Sequence, residues 1–334
     1  MSNRIRTDRV ANRKMDRKEE LRHYRLLKFK CLEFLRIYDY TQEKTIENCT
    51  FTSGTPSIVH HPSHAGQYIL HTRWVNYSCD RVGTIVWQSS YTQLNSRCVL
   101  NSNMERISEE VFLQESYKES NGLEDIRMFA FQDKLYYSAS FAPPHRFFNL
   151  MSCGEYEFQD TTYTLDMHTI VLADSPNTNH TEKNWSYVEY NGELCMVYKW
   201  FPLQIGKIDF NTNLFHITDV KHNVPDIFRR VCGGTPGYTF NDEIWFVVHI
   251  CDRHTRRELT FKNYQHMFLV FDIHMNLLRY SECVKFENFQ IEFCIGLIVE
   301  TDRTIVSYST MDCTSRVGIL DNRYIREGIQ WTNI

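Results

Sequence analysis

After residue 45 the pattern of hydrophobic and polar positions leaves helical spacing for short runs rich in aromatic and β-branched residues, broken by Gly, Asn or Asp. Such runs with turn residues between them predict β-strands joined by tight turns. Five stretches share one form, a strand, a turn and a second strand: HAGQYILHTR around Gly66, FQDKLYYSAS around Asp133, YNGELCMVYK around Gly192, FNDEIWFVVH around Asp242 and ETDRTIVSYS around Asp302. The turn residues stand 67, 59, 50 and 60 positions apart, long for a propeller repeat but suited to four-stranded blades with enlarged loops. The pattern predicts an all-β protein, a five-bladed β-propeller over 45–334. A β-sandwich would alternate equally well.

Ahead of the repeats the spacing changes. From Asp16 to Tyr40, the residues Leu21, Tyr24, Leu27, Cys31 and Leu35 recur at intervals of three or four with Lys and Arg between them, which predicts an N-terminal basic amphipathic helix. Residues 1–44 are thus read as a basic arm and helix in front of the propeller. Its charged face suits contact with an anionic lipid, nucleic acid or partner, or else packing on the main domain with the cations solvated.

Composition narrows the class. With 42% hydrophobic and 14% aromatic residues, 8 Pro and 13 Gly, the chain is neither disordered nor low in complexity. Its 37 Lys and Arg against 41 Asp and Glu give −4, but residues 1–30 hold 11 basic against 4 acidic residues, which leaves the rest at −11. A domain built globally around nucleic acid would be basic throughout. There is no apolar run of about 18 residues to span a membrane and no apolar stretch of a secretory signal in the first 30, so a cytoplasmic location is expected. The 11 cysteines are scattered without a CxxC pair, which predicts free thiols rather than a disulfide framework or zinc ribbon. His60 with His61, and Asp252 with His254, lie too close together and lack further ligands, so no metal is expected.

The chemistry follows from the register. The residue seven after each turn residue is Arg73, Ser140, Lys199, His249 or Ser309, and all five are polar. Seven to eleven residues before the turns lie Thr55-Pro56-Ser57, Glu124-Asp125-Ile126, Lys183-Asn184-Trp185, Gly233-Gly234-Thr235 and Ile291-Glu292-Phe293. Because the first strands of propeller blades surround one axis, these sequence-distant positions are expected to meet. A sandwich gives no reason for polar groups to recur in step with the turns. The acidic pair Glu124-Asp125 would then face Arg73, Arg127, Lys183, Asn184 and His249. A carboxylic acid beside cations suits a polyhydroxylated substrate handled together with a phosphate or nucleotide anion. Attack by water needs a second carboxylate as base, whereas a phosphate nucleophile is already an anion.

These residues also carry a family resemblance. Gly122-Leu123-Glu124-Asp125-Ile126-Arg127 resembles the G-x-E-D-P-R motif of glycoside hydrolase family 130, the β-mannoside phosphorylases and their β-1,2-mannosyltransferase relatives. In the same order follow segments that look like the same superfamily: Thr55-Pro56-Ser57-Ile58 with Arg73-Trp74-Val75-Asn76-Tyr77, then Glu182-Lys183-Asn184-Trp185, then Arg230 with Gly233-Gly234-Thr235-Pro236 and His249, and last Ile291 to Leu297 leading to Ser307-Tyr308-Ser309 and Asp312. They cover about residues 50–320. The resemblance implies a five-bladed propeller with its site over the axis. It implies Asp125 as the general acid, acting through a mannose hydroxyl, and Arg73, Arg127, Lys183 and His249 around phosphate or a nucleotide sugar. Glu124, Asn184, Glu292 and Asp312 would contact sugar. No cofactor is implied; inorganic phosphate or a nucleotide sugar is the co-substrate and a carbohydrate the partner. Ile126 stands where the family has Pro, and Thr55 where phosphorylases have Asn, which leaves donor and acceptor open. Two further readings stay open: a β-mannoside hydrolase with Glu292 or another carboxylate as base, and a propeller that has lost catalysis and binds a glycan or protein.

Overall fold

The computed structural model describes residues 27–80, 85–87, 92–113, 121–143, 148–158, 163–174, 181–256 and 259–334. They are nearly all β, with a 3-10 turn at Asp226–Arg230 and a π turn at Tyr324–Gly328. Among these residues no helix is long and apolar enough to cross a membrane.

The strands run as successive antiparallel meanders. The first sheet orders Glu43–Ile46, Cys49–His60, Tyr68–Val75, Gln93–Leu100 and Val111–Phe112. The second is built on Glu124–Phe131, Lys134–Phe141, Leu150–Phe158 and His168–Leu172, the third on Ser186–Tyr190, Glu193–Trp200, Leu203–Asp209 and Leu214–Lys221. Their outer strands pair in parallel and join the two into one continuous sheet. The fourth carries the long hairpin Glu243–Arg256/Leu259–Asp272, and the fifth orders Glu292–Val299, Arg303–Thr310 and Arg316–Asp321. Inner strands touch from one sheet to the next, and Glu292–Val299 of the fifth returns to Cys49–His60 of the first.

Neighbouring residues of one strand face opposite ways, and here both faces are buried. Ile58 packs with Leu70, Ile298 and Ile305 between the fifth and first sheets, while Val59 joins Ile69, Ile126 and Met128 between the first and second. Phe129, Met151, Trp185 and Met196 fill the next interval. Phe246 packs with Val197, Ile205 and Leu269 between the third and fourth, and Val247 with Val270, Leu297 and Val306 between the fourth and fifth. Alternate residues thus serve successive clusters around a closed circuit of sheets.

Each of the five turns read from the sequence joins two antiparallel strands that neighbour each other in one sheet. Asn191 and Gly192 have φ of 55° and 72°, and Asn241 and Asp242 have 51° and 61°, the two consecutive left-handed residues that a tight hairpin of right-twisted strands demands. The +7 register holds for Arg73, Ser140, His249 and Ser309, which are buried. Lys199 departs from it. A bulge between Val197 and Lys199 turns this side chain out to solvent, where its ammonium lies 4.9 Å from the Tyr198 ring centre.

The expected helix over 16–40 is not what residues 27–40 form. Phe29–Cys31 pairs in parallel with Cys283–Lys285 of the fourth sheet, and Arg36–Asp39 pairs antiparallel with Arg316–Asp321 of the fifth. Residues 1–26 lie outside the described residues. The described side chains of the expected stripe are instead divided, Leu27 partly buried against the core, Cys31 exposed and Leu35 65% exposed. Pairing with distant edges overrides a local period of three or four.

Candidate active site

Local backbone geometry assembles the site. The ladder slips between Gly54 and Ser57 in the first sheet and between Glu124 and Arg127 in the second. Such bulges re-aim side chains at the rims of sheets. Thr55, Asp125, Asn184 and Asp312 have φ of 41°, 58°, 64° and 55°. Asp and Asn enter this left-handed region readily, but a β-branched Thr does so at a cost of about 1–3 kcal/mol. Thr55 and Asp125 sit in these bulges, Asn184 just before Ser186–Tyr190 and Asp312 just after Arg303–Thr310. Two glycines permit the close approach. A Cβ on Gly54 would meet the Asp312 carbonyl at 2.7 Å, and one on Gly233 the Asn184 carbonyl at 2.2 Å.

At Asp125 the bulge brings two consecutive carboxylates to one guanidinium. Arg73 Nη1 donates to Asp125 Oδ1 at 2.5 Å and lies 3.7 Å from Glu124 Oε1, while Nη2 donates to the Tyr77 hydroxyl. Asn149 Nδ2 donates to the other Glu124 oxygen at 3.0 Å. Burial, then the negative charges of Asp125 and Asp312, push the Glu124 carboxyl up against the pull of Arg73 and Lys183. Burial and Asp125 do the same to Asp312, against Arg73, Lys262 and Lys183. Glu124, Asp125 and Asp312 thus share one electrostatic neighbourhood, in which Glu124 and Asp312 hold their protons more tightly than ordinary carboxylates.

The four cations singled out from the sequence are put to different uses. Arg73 orients Asp125. Arg127 is buried and committed to the scaffold: Nε donates to Gly234 O at 2.7 Å, Nη1 to Asp125 O at 3.0 Å and Nη2 to Asn184 Oδ1 at 2.9 Å, bracing the second, third and fourth sheets. Burial pushes its pKa down. The His249 ring stacks 5.6 Å from Tyr264 and meets Phe293 edge-on at 5.0 Å. Burial, then the nearby His266, Arg127 and Lys183, depress its pKa well below the usual histidine value, so it is neutral. Its Nδ1 is buried with no hydrogen-bond partner among the described residues. Lys183 is exposed, forms no ion pair within 4 Å among the described residues, and acts through its field on Glu124, Asp312 and His249.

Glu292 is not brought to this cluster. Its carboxylate accepts from the backbone amides of Phe286 at 2.8 Å and of Glu287 and Phe289 at 2.9 Å each, so it anchors the turn before its own strand. Removing it strands buried donors that each cost about 1–3 kcal/mol. We expect Glu292→Ala to lower stability by roughly 2–4 kcal/mol in urea unfolding. A Glu292→Ala protein with an unchanged urea midpoint and lost turnover would instead mark it as part of the chemistry.

Three contributors escaped the sequence pattern, Asn149, Tyr264 and Lys262, while Tyr77 stood in a quoted segment without a role. Burial, with Cys251 and then Asp312 and Asp125 nearby, raises the Tyr264 hydroxyl pKa. Extending the register of His249 across its hairpin reaches His266, and two and four residues before it stand Tyr264 and Lys262.

No family model matches the chain, and no curated protein matches its sequence. Solved structures do match its fold. The β-1,2-mannobiose phosphorylase of Listeria innocua superposes with a TM-score of 0.57 at 13% identity, covering 87% of this chain and 98% of that one. Two proteins of Leishmania mexicana cover 96% of this chain. MPT-1, a GDP-Man-dependent mannosyltransferase, has a TM-score of 0.55 at 10% identity over 97% of its own length. MPT-4, a mannose phosphorylase in complex with phosphate, has 0.51 at 11% over 96%. The resemblance to glycoside hydrolase family 130 read from the sequence motifs is matched at the level of the fold.

Proposed function

We propose that the chain is a mannoside-active carbohydrate enzyme whose five sheets are the blades of a propeller, with the carboxylate cluster over its axis. The observation that carries this reading is the meeting of Glu124, Asp125 and Asp312 beside Arg73 and Lys183, on the fold of mannoside phosphorylases and a mannosyltransferase. In this reading Asp125 supplies the proton that the departing oxygen needs, relayed through a mannose hydroxyl. Arg73 fixes its direction. Phosphate oxygen attacks the anomeric carbon from the opposite face, the glycosidic C–O bond breaks, the proton ends on the leaving oxygen, and mannose 1-phosphate forms with inversion. In the transfer variant the nucleoside diphosphate leaves and an acceptor hydroxyl attacks.

The alternative of attack by water is weakened in the form that uses Glu292, because both of its oxygens are held by backbone amides. Incubation with β-1,2-mannobiose, with and without inorganic phosphate, and with GDP-mannose plus a mannosyl acceptor, separates the three reactions. Mannose 1-phosphate appearing only with phosphate identifies phosphorolysis. Chain extension from GDP-mannose identifies transfer, and free mannose without phosphate identifies hydrolysis. No product in any arm would leave a glycan-binding scaffold in place of an enzyme.

A further inference from the structure

We propose that Arg253 and Lys262, a cross-strand pair at the outer end of the fourth sheet's long hairpin, form a seat for a phosphoryl group at the rim of the site. The pair faces each other directly in the ladder between Glu243–Arg256 and Leu259–Asp272. In an antiparallel ladder directly opposed residues share a face, and so do residues two apart along a strand. His249 and His266, then Cys251 and Tyr264, then Arg253 and Lys262 therefore rise along one face. The lower steps are fixed on the site side, since His249 and Tyr264 both pack on Phe293 of the fifth sheet. About 7 Å further along the strand than Tyr264 stands Lys262, near enough for its ammonium to act on Asp312.

Like charges directly opposed in a ladder are destabilising, and here nothing among the described residues neutralises them. Neither Arg253 nor Lys262 forms an ion pair within 4 Å. Their neighbour Asp252 is buried on the opposite face and is bound to Arg230. Two adjacent cations without a carboxylate partner match an anion with several acceptor oxygens, Arg giving a planar fork and Lys a point charge. Among the described residues Lys183 is also without an ion pair within 4 Å and acts on the same carboxylate, Asp312. With Arg73 and Arg127 held by protein acceptors, Arg253, Lys262 and Lys183 are, among the described residues, available to meet an incoming phosphoryl group.

The inference rests on the reading of the mouth as a site for a phosphoryl-bearing co-substrate. Two sources share that chemistry, free inorganic phosphate and the diphosphate of a sugar nucleotide. Calorimetric titration of the full chain with inorganic phosphate and with GDP distinguishes them. Each is to be repeated on the double variant Arg253→Gln/Lys262→Gln and on the charge-conserving Arg253→Lys/Lys262→Arg. We expect the ligand that the natural protein binds to lose at least about tenfold in affinity in the neutral variant and to keep most of it in the charge-conserving one. The ligand-free neutral variant should melt no lower than the natural protein, because a repulsive pair has gone. Equal affinity in the neutral variant overturns the seat, and so does a natural protein that binds neither ligand. The mannoside reading is tested separately, by product formation, and survives either result.

Discussion

Asp125→Asn is expected to reduce mannoside turnover by about 10²- to 10⁴-fold, the contribution of a positioned general acid, while leaving the fold unchanged. The substitution is chosen for its backbone as much as for its chemistry. Asn accepts the left-handed φ of 58° at this position as readily as Asp, and its amide oxygen can still accept from Arg73. An Ala there would mix the loss of an acid with backbone strain. The change also removes the negative charge that helps to raise Glu124 and Asp312, so any residual activity should show its pH dependence displaced toward acid. Equal thermal midpoints with turnover down by two orders of magnitude or more are the expected result. Full turnover by the Asn protein would remove Asp125 from its role.

The protein should also lose stability steeply as the pH falls below about 6.5. His71 and His266 are fully buried and pushed down to about 3, and buried His249 is held well below the ordinary value. Desolvation is the leading cause in each case. In the unfolded chain all three regain a pKa near 6.5. Below that value the unfolded state binds protons that the fold refuses, so unfolding free energy falls with falling pH. Each histidine contributes roughly 1 kcal/mol of loss between pH 7 and 5.5, or about 3–4 kcal/mol together. Glu124, Asp312 and Glu292 have raised values and act in the opposite sense. Their contribution is recovered as pH falls through those raised values and is complete below the ordinary carboxylate range. His266 isolates the effect, because neither ring nitrogen has a hydrogen-bond partner among the described residues and the ring packs 4.5 Å from Phe286. His266→Phe should lower the acid midpoint and flatten the slope by about a third. An unchanged slope in urea melts at pH 5–7 would contradict the assignment.

What was legible in the sequence is what is encoded locally. The turns at Asn191-Gly192 and Asn241-Asp242 announce themselves because few residue pairs tolerate two left-handed conformations in a row. Runs of aromatic and β-branched residues between turn residues gave the strands, and the constant distance from turn to inner polar residue brought Arg73 and His249 to the site. The same rule failed at Lys199, where a bulge that leaves no mark in the residue pattern shifts the register by one. It could not distinguish Arg127, used as a brace, from a ligand-binding arginine, because that depends on where the Gly234 carbonyl and Asn184 side chain lie. Glu292 sat in the expected register but turned to three amides of the preceding loop. Asn149, Tyr264 and Lys262 enter from later strands and loops, outside the two-strand unit whose repetition was visible.

The segment from Phe29 to Ile46 contributes one strand each to the fourth, fifth and first sheets in turn. Two of those strands have partners more than 250 residues later, at Cys283–Lys285 and Arg316–Asp321. During synthesis Phe29–Cys31 and Arg36–Asp39 therefore leave the ribosome early with unpaired backbone edges and wait for their partners until nearly the whole chain has followed, while Glu43–Ile46 can pair at once with Cys49–His60. Closure of the circuit is a late event with the longest loop-closure distances among the described strand pairs, of the kind that slows folding. Until then the edges of the fourth and fifth sheets stand open to pairing with other chains. Residues 29–46 act as a clasp that ties the fourth, fifth and first sheets together.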